Sequence, residues 1–145
     1  MDPMTYQITL EKASRKDRAV IGKGIADSGS RMFPGTTITD VTFFVRDGAG
    51  TIVGGVAGNY GSFGWLYVDA LWVSEELRGQ GYGTKLMQMI EAEAVRHGAV
   101  NVYLQTFSFQ APEFYKRLGY TVFGELKDFP PGHSRLFLKK DLSTN

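Results

Sequence analysis

The stretch Leu71-Trp72-Val73-Ser74-Glu75-Glu76-Leu77-Arg78-Gly79-Gln80-Gly81-Tyr82-Gly83-Thr84-Lys85-Leu86-Met87 decides how the chain reads. An apolar strand runs into an acidic bend, then a turn with glycine at alternate positions, then an amphipathic helix. Glycines at Gly79, Gly81 and Gly83 let backbone N–H groups converge without side chains in the way. The helix that follows points the positive end of its dipole into the same space, and the combination suits a phosphate or pyrophosphate. The spacing is not that of a Walker loop, because Thr84 separates Gly83 from Lys85. Nor is it a dinucleotide fingerprint, which needs two residues between its second and third glycines. On the loop alone, the alternative is a glycine-rich turn without a ligand.

Working outward, the whole chain bounds the answer. Its 145 residues suit one domain, 1–145, with a formal net charge of +1. There is no basic excess to favour nucleic acid, and no long single-sign run. No apolar stretch is long enough to span a bilayer, and Met1-Asp2-Pro3-Met4 lacks the pattern of a signal peptide. Cysteine is absent, which excludes disulfides and thiolate nucleophiles. The two histidines, His97 and His133, are far apart, so no metal site is expected. The expectation is a soluble cytoplasmic protein that binds neither nucleic acid nor membrane.

The pattern of elements is α/β. Tyr6–Leu10 alternates as a strand, and Ser14 caps a helix whose stripe is Val20, Ile21, Gly24 and Ile25, ending near Gly29. Val41–Arg46 and Thr51–Ala57 flank Asp47-Gly48-Ala49-Gly50 as a hairpin, with Gly54-Gly55 marking a bulge or a close backbone approach. Trp65–Val73 is apolar on both faces and reads as a central strand covered on both sides. Thr84–His97 carries Leu86, Met87, Ile90, Ala94 and Val95 at helical spacing, with Gly98 beyond its end. Val100, Val102 and Leu104 form the next strand, and the two strands around the glycine turn should pair in parallel at Val68 and Val102. Pro112 opens a short helix that buries Phe114 and Leu118, and two closing strands, Tyr120–Glu125 and Arg135–Lys140, follow.

Arg78-x-x-Gly81-x-Gly83 resembles the Arg/Gln-x-x-Gly-x-Gly/Ala loop of the GNAT superfamily, the acyl-CoA-dependent N-acyltransferases. One strand later, Ala111-Pro112-Glu113-Phe114-Tyr115-Lys116-Arg117-Leu118-Gly119-Tyr120 is similar to the family's Ala-x-x-Phe-Tyr-x-x-Leu-Gly-Phe/Tyr block. The resemblance covers Val41 to Leu138. It implies the GNAT fold, an α/β arrangement with a central mixed and splayed β-sheet flanked by helices on both faces. One departure is Ser108, which stands where many members carry an asparagine, so that Gln110 or a water would take over its contact.

The resemblance implies further that acetyl-CoA lies along Leu71, Trp72 and Val73, whose unpaired backbone groups would pair with the pantetheine amides. Its pyrophosphate would rest on the N–H groups of Arg78, Gly79, Gln80, Gly81, Tyr82, Gly83 and Thr84. The N–H near Val73 would polarise the acetyl carbonyl. Tyr115 matches the family's general acid, a phenol that donates while staying neutral. Asp69 is the only carboxylate within Trp65–Val73, where burying it unpaired would be costly. It lies nine residues before Arg78 and Tyr67 eleven before, positions at which the family often places a base. Asp69 is therefore the candidate base or a holder of the cationic acceptor, with a structural hydrogen bond as the alternative. Phe33, Tyr67 and His133 are candidate acceptor contacts, and Tyr60, Phe63, Phe107 and Phe109 are aromatics that either line a pocket or pack the core.

The reading is an N-acetyltransferase that moves an acetyl group from acetyl-CoA to a primary amine of a small molecule by direct attack in a ternary complex. The alternatives are a non-catalytic acyl-CoA-binding module of the same fold, a protein or peptide N-acetyltransferase, and a nucleotide-binding domain that shares only the glycine turn. A homodimer is left open by the sequence.

Overall fold

The computed structural model describes residues 5–143, which fall into two compact units, one up to Thr36 and the other from Thr37 onward. The first unit contains helix α1, Arg15–Met32. Ser14 caps it as expected, its hydroxyl accepting from the Asp17 N–H at 3.0 Å. The helix runs past Gly29 and closes only where the Phe33 N–H donates to the Gly29 carbonyl. The strand expected at Tyr6–Leu10 is not formed: residues 5–14 have no regular structure. Alternation gives a segment a face, but only pairing with a neighbour makes it a strand.

The second unit is built on a six-stranded mixed sheet in the order β1-β2-β3-β4-β6-β5. Its strands are β1 Ile38–Arg46, β2 Ile52–Gly61, β3 Trp65–Val73, β4 Asn101–Phe107, β5 Thr121–Lys127 and β6 Ser134–Asp141. β1 and β2 form the expected hairpin, in which the Asp47 carboxylate accepts from the N–H groups of Ala49 and Thr51. The register shifts by one residue between Val45 and Arg46, leaving out Val53 just before the glycine pair, which itself stays in register. A side-chain carbon at Gly55 would come within 2.9 Å of the Phe43 carbonyl oxygen, so the close backbone approach is real.

Helix α2, Tyr82–Arg96, packs on β1, β2 and β3 and ends at Gly98, whose φ is +94°. It buries Leu86, Met87, Ile90 and Ala94 together with Glu91, while Val95, expected on the buried face, stays 45% exposed. In β3 only Leu66 and Val68 are buried, and Trp65 and Trp72 stay 39% and 52% exposed. Within the second unit β3 is central in strand order, and Leu66 and Val68 join the core that α2 covers. Val102 and Leu104 complete the core from β4, with Leu138 from β6. A short helix α3, Pro112–Arg117, has its proline at the start and leans Phe114 and Leu118 on that core.

β3 and β4 do pair in parallel, but Val68 stands opposite Leu104 and Val102 opposite Leu66, one pleat from the expected register. The ladder holds only from Trp65 to Val68. At Asp69 the antiparallel register between β2 and β3 also slips: Gly58 faces Val68 and Ala57 faces Ala70, leaving Asp69 as the extra residue of a β-bulge. Beyond it β3 continues beside β2 while β4 turns away to β6, and the sheet splays open.

Candidate functional site

The splay opens a cavity of about 890 Å³ between β3, the glycine turn, β4 and α3. One wall is the β3 edge from Asp69 to Val73, which has no ladder partner on its β4 side. Backbone groups there must find hydrogen bonds elsewhere. The floor at one end is the turn after β3, where a single 3₁₀ turn, Glu75–Leu77, leads into Arg78 and the glycines. The first N–H groups of α2 have no intrahelical acceptor and face this end of the cavity with the positive end of the helix dipole.

The three glycines serve two different purposes. Gly79 and Gly81 hold φ of +76° and +87°, conformations that other residues rarely adopt, and a side chain at either would meet open space. Their need is backbone shape beside the cavity. Gly83 lies inside α2, where a side-chain carbon would come within 3.3 Å of the Phe114 ring. Its need is packing, because it lets α3 close on the first turn of α2.

Of the residues expected to hold the cofactor, Leu71, Trp72, Val73, Arg78, Gly79, Gly81, Tyr82, Gly83, Thr84 and Gln110 all line the cavity. Gln80 does not; its side-chain amide donates to the Glu76 carbonyl at 2.9 Å and braces the turn. Arg78 donates from Nε to the Val73 carbonyl at 3.1 Å, tying the turn to the end of β3. Ser108 is turned to another task, accepting from the Ser134 N–H at 2.9 Å, whereas Gln110 reaches the wall, its carbonyl accepting from the Thr106 hydroxyl at 3.2 Å.

Tyr115 and Asp69 both line the cavity. Tyr115 is half-buried, its ring edge-on to Phe114 and to Tyr120 at centroid separations of 5.1 and 5.9 Å. Burial pushes its phenol above the ordinary value of 10.0, so the hydroxyl keeps its proton. Asp69 is not buried, contrary to the reading of its apolar surroundings: the bulge turns it out to an exposed position on the cavity wall. Among the described residues its carboxylate makes neither a hydrogen bond nor an ion pair, so the structural hydrogen bond weighed for it is not made.

The acceptor candidates are more scattered. Tyr67 precedes the bulge and lies outside the cavity lining, its ring tilted on Tyr103 at 4.8 Å. It is linked to the wall by Gln105, whose side-chain amide donates to the Tyr67 hydroxyl at 3.1 Å. His133, in the β5–β6 connection, also lies off the lining, edge-on to Phe109 at 5.1 Å. Phe33 belongs to the first unit and is described with it. Several lining residues were not singled out in the sequence, Gln105 and Arg117 among them. Gln105 is an ordinary polar position of a strand, and Arg117 follows Tyr115 in α3 with nothing in its neighbours to single it out. Ala111, which opens the second motif, is a non-glycine at φ +51° held at the cavity wall just before Pro112.

Residues 22–120 match the family model described as Acetyltransferase (GNAT) family. The chain belongs to the GNAT acetyltransferase family. Blasticidin-S acetyltransferase of Streptomyces morookaense is 39% identical over 94 residues, 64% of this chain and 68% of that one. The crystal structure of an acetyltransferase from Bacillus cereus ATCC 14579 is 36% identical and superposes with a TM-score of 0.83 over 93% of this chain and 98% of that one. A more distant relative in fold, an aminoglycoside 6′-N-acetyltransferase solved with coenzyme A, has a TM-score of 0.61 over 80% of this chain and 78% of its own, at 18% identity. The family moves acetyl groups from acetyl-CoA, and the chain is accordingly an acetyltransferase. No helix among the described residues of this GNAT member is long and apolar enough to cross a membrane.

Proposed function

We propose that this GNAT acetyltransferase transfers an acetyl group from acetyl-CoA to a primary amine of a small molecule, by direct attack with both bound. The observation that carries the reading is the position of Tyr115, which faces one cavity with the open edge of β3 and the glycine turn. Leu71, Trp72 and Val73 offer backbone groups along that edge to the amides of the cofactor arm. The N–H groups from Arg78 to Thr84, with the Arg78 guanidinium, hold its pyrophosphate, and Gln110 meets the arm from the other wall. Bound there, acetyl-CoA supplies an acetyl thioester.

The protein's own residues manage protons and access. Tyr115 keeps its proton at Oη, because burial disfavours the phenolate, and delivers it to the departing sulfur. The Val73 N–H donates to the acyl oxygen. Asp69 presents its carboxylate on the same wall to take the proton of the acceptor ammonium, or to hold that cation in place. Tyr67 orients Gln105 at the acceptor end, and His133 contributes a further contact to the amine.

A small amine is favoured because a relative 39% identical is named for acetylating blasticidin S, which makes that antibiotic the first acceptor to try. The test is a thermal melt with acetyl-CoA, CoA, ATP and NADH, followed by thiol release with blasticidin S and a panel of small amines and peptides. At about a hundred times its dissociation constant, a ligand adds about 2.7 kcal/mol of stability, visible as a shift of a few degrees. A shift with the two CoA species and thiol release with a small amine is the expected result. Thiol release with peptides alone would replace the acceptor class, and a melt that responds only to ATP would overturn the whole reading.

A further inference from the structure

Behind Tyr115, away from the cavity lining, lies a buried polar cluster that the proposed chemistry does not use. Tyr120 is 2% exposed and donates from Oη to Glu91 Oε2 at 2.8 Å. Lys140 Nζ donates to the other oxygen of the same carboxylate, Oε1, at 2.9 Å and stands 5.6 Å above the Tyr120 ring. Glu91 itself is 7% exposed. The cluster joins three elements: α2, which begins at the glycine turn; β6; and the segment that leaves α3.

Burying an ion pair is rarely a gain over apolar packing, so its presence invites a reason other than stability. The geometry supplies one. Tyr120 holds Tyr115 twice, by its N–H donating to the Tyr115 carbonyl at 3.1 Å and by its ring standing edge-on to the Tyr115 ring. The chain reverses between them at Gly119, whose φ is +98°, and the Lys140 side chain packs 3.5 Å from where a side-chain carbon on that glycine would sit. Every contact that fixes Tyr120 therefore also fixes the wall from which Tyr115 meets the cavity. Glu91 has both carboxylate oxygens taken, each by a different element, so it sets orientation as well as distance.

We propose that Tyr120, Glu91 and Lys140 are positioning residues for acetyl transfer: the cluster locks the Tyr115 hydroxyl at its place in the cavity. The inference rests on the proton-donating role given to Tyr115, and its test separates the two. Tyr120→Phe keeps the ring and removes the donor; Glu91→Gln keeps the shape and serves where Tyr120→Phe does not fold. Ring ¹H–¹³C spectra of tyrosine-labelled protein, assigned with Tyr115→Phe, report the Tyr115 ring directly. Shifted or broadened Tyr115 signals are expected in either variant, with kcat lower by about tenfold and KM for acetyl-CoA changed by less than about twofold. In a Tyr115→Phe background, Tyr120→Phe should lower kcat no further. Unchanged Tyr115 signals would overturn the positioning role, as would an equal loss of kcat in both backgrounds. Wild-type kcat in Tyr115→Phe alone would instead remove the role given to Tyr115, and the ring spectra would still decide whether the cluster positions it.

Discussion

A side-chain carbon at Gly58 would collide with the Tyr67 carbonyl oxygen, and beside this close approach Asp69 leaves the register of β3. The bulge needs the two backbones nearer than any other residue allows. Gly58→Ala must push β2 and β3 apart or drive Asp69 back into line, an overpacking cost of about 1–3 kcal/mol. Urea unfolding should show that loss in its midpoint, with acetyltransferase activity falling as well. Wild-type stability in the variant would mean that the bulge does not depend on the glycine.

The two kinds of glycine in the turn should fail in different ways. Gly81→Ala forces an ordinary residue to φ +87° without any clash, so the turn itself changes shape. Weaker binding of acetyl-CoA is expected, measured by titration calorimetry, with a cost in stability of about 1–2 kcal/mol. Gly83→Ala meets the Phe114 ring at 3.3 Å and should lower the melting temperature while disturbing cofactor affinity less. The reverse ranking would show that Gly83 shapes the phosphate end and Gly81 does not.

Asp69 gives a pH signature if it takes the acceptor's proton. At low pH nearly every acceptor amine arrives protonated and needs a base, whereas near the amine's own pKa a growing share arrives neutral. Asp69→Asn should therefore lower kcat/KM by about 10²-fold at the acid end of the profile and less at the alkaline end. A profile unchanged in height and shape would take the carboxylate out of the reaction.

The buried cluster has a consequence for alkaline stability. Tyr120 is held protonated well above the ordinary phenol value of 10.0, first by burial, then by the charge of Glu91 and the hydrogen bond to it, and last by Tyr115. Below pH 10 the folded and unfolded chains both keep this proton, and nothing changes. Above it, the unfolded chain loses a proton that the folded chain retains. Stability then falls by about 1.4 kcal/mol per pH unit for that group. Unfolding free energies from about pH 9 to 11 should decline, and Tyr120→Phe should decline less steeply. Parallel slopes for the two proteins would contradict the burial of this phenol.

What the sequence made legible was local. The cap at Ser14, the proline that opens α3, the turn at Asp47–Gly50 and the glycine at the end of α2 each follow from what one residue does to its own backbone. The loop at Arg78–Thr84 was legible for the same reason, and ten of the eleven residues assigned to the cofactor do line the cavity, Gln80 excepted. What escaped were properties of pairs. The bulge at Asp69 exists only because β2 and β3 disagree by one residue, and the register of Val68 depends on how β4 docks. Glu91 carries no local signal, because Tyr120 and Lys140 meet it from elsewhere in the chain. Tyr6–Leu10 had the alternation of a strand and no ladder to join.

The parallel seam between β3 and β4 consists of only four facing residue pairs, Trp65–Val68 with Asn101–Leu104. In the language of hydrogen exchange, the sheet is two protected halves basted together by a short row of stitches. Amides from Asp69 to Val73 on the open side should trade their hydrogens quickly, while those of Leu66 and Val68 remain slow. If the cofactor lies along the opening as proposed, it finishes the row, and the slowest-exchanging core should grow by half a strand when acetyl-CoA is added and shrink again when it is removed.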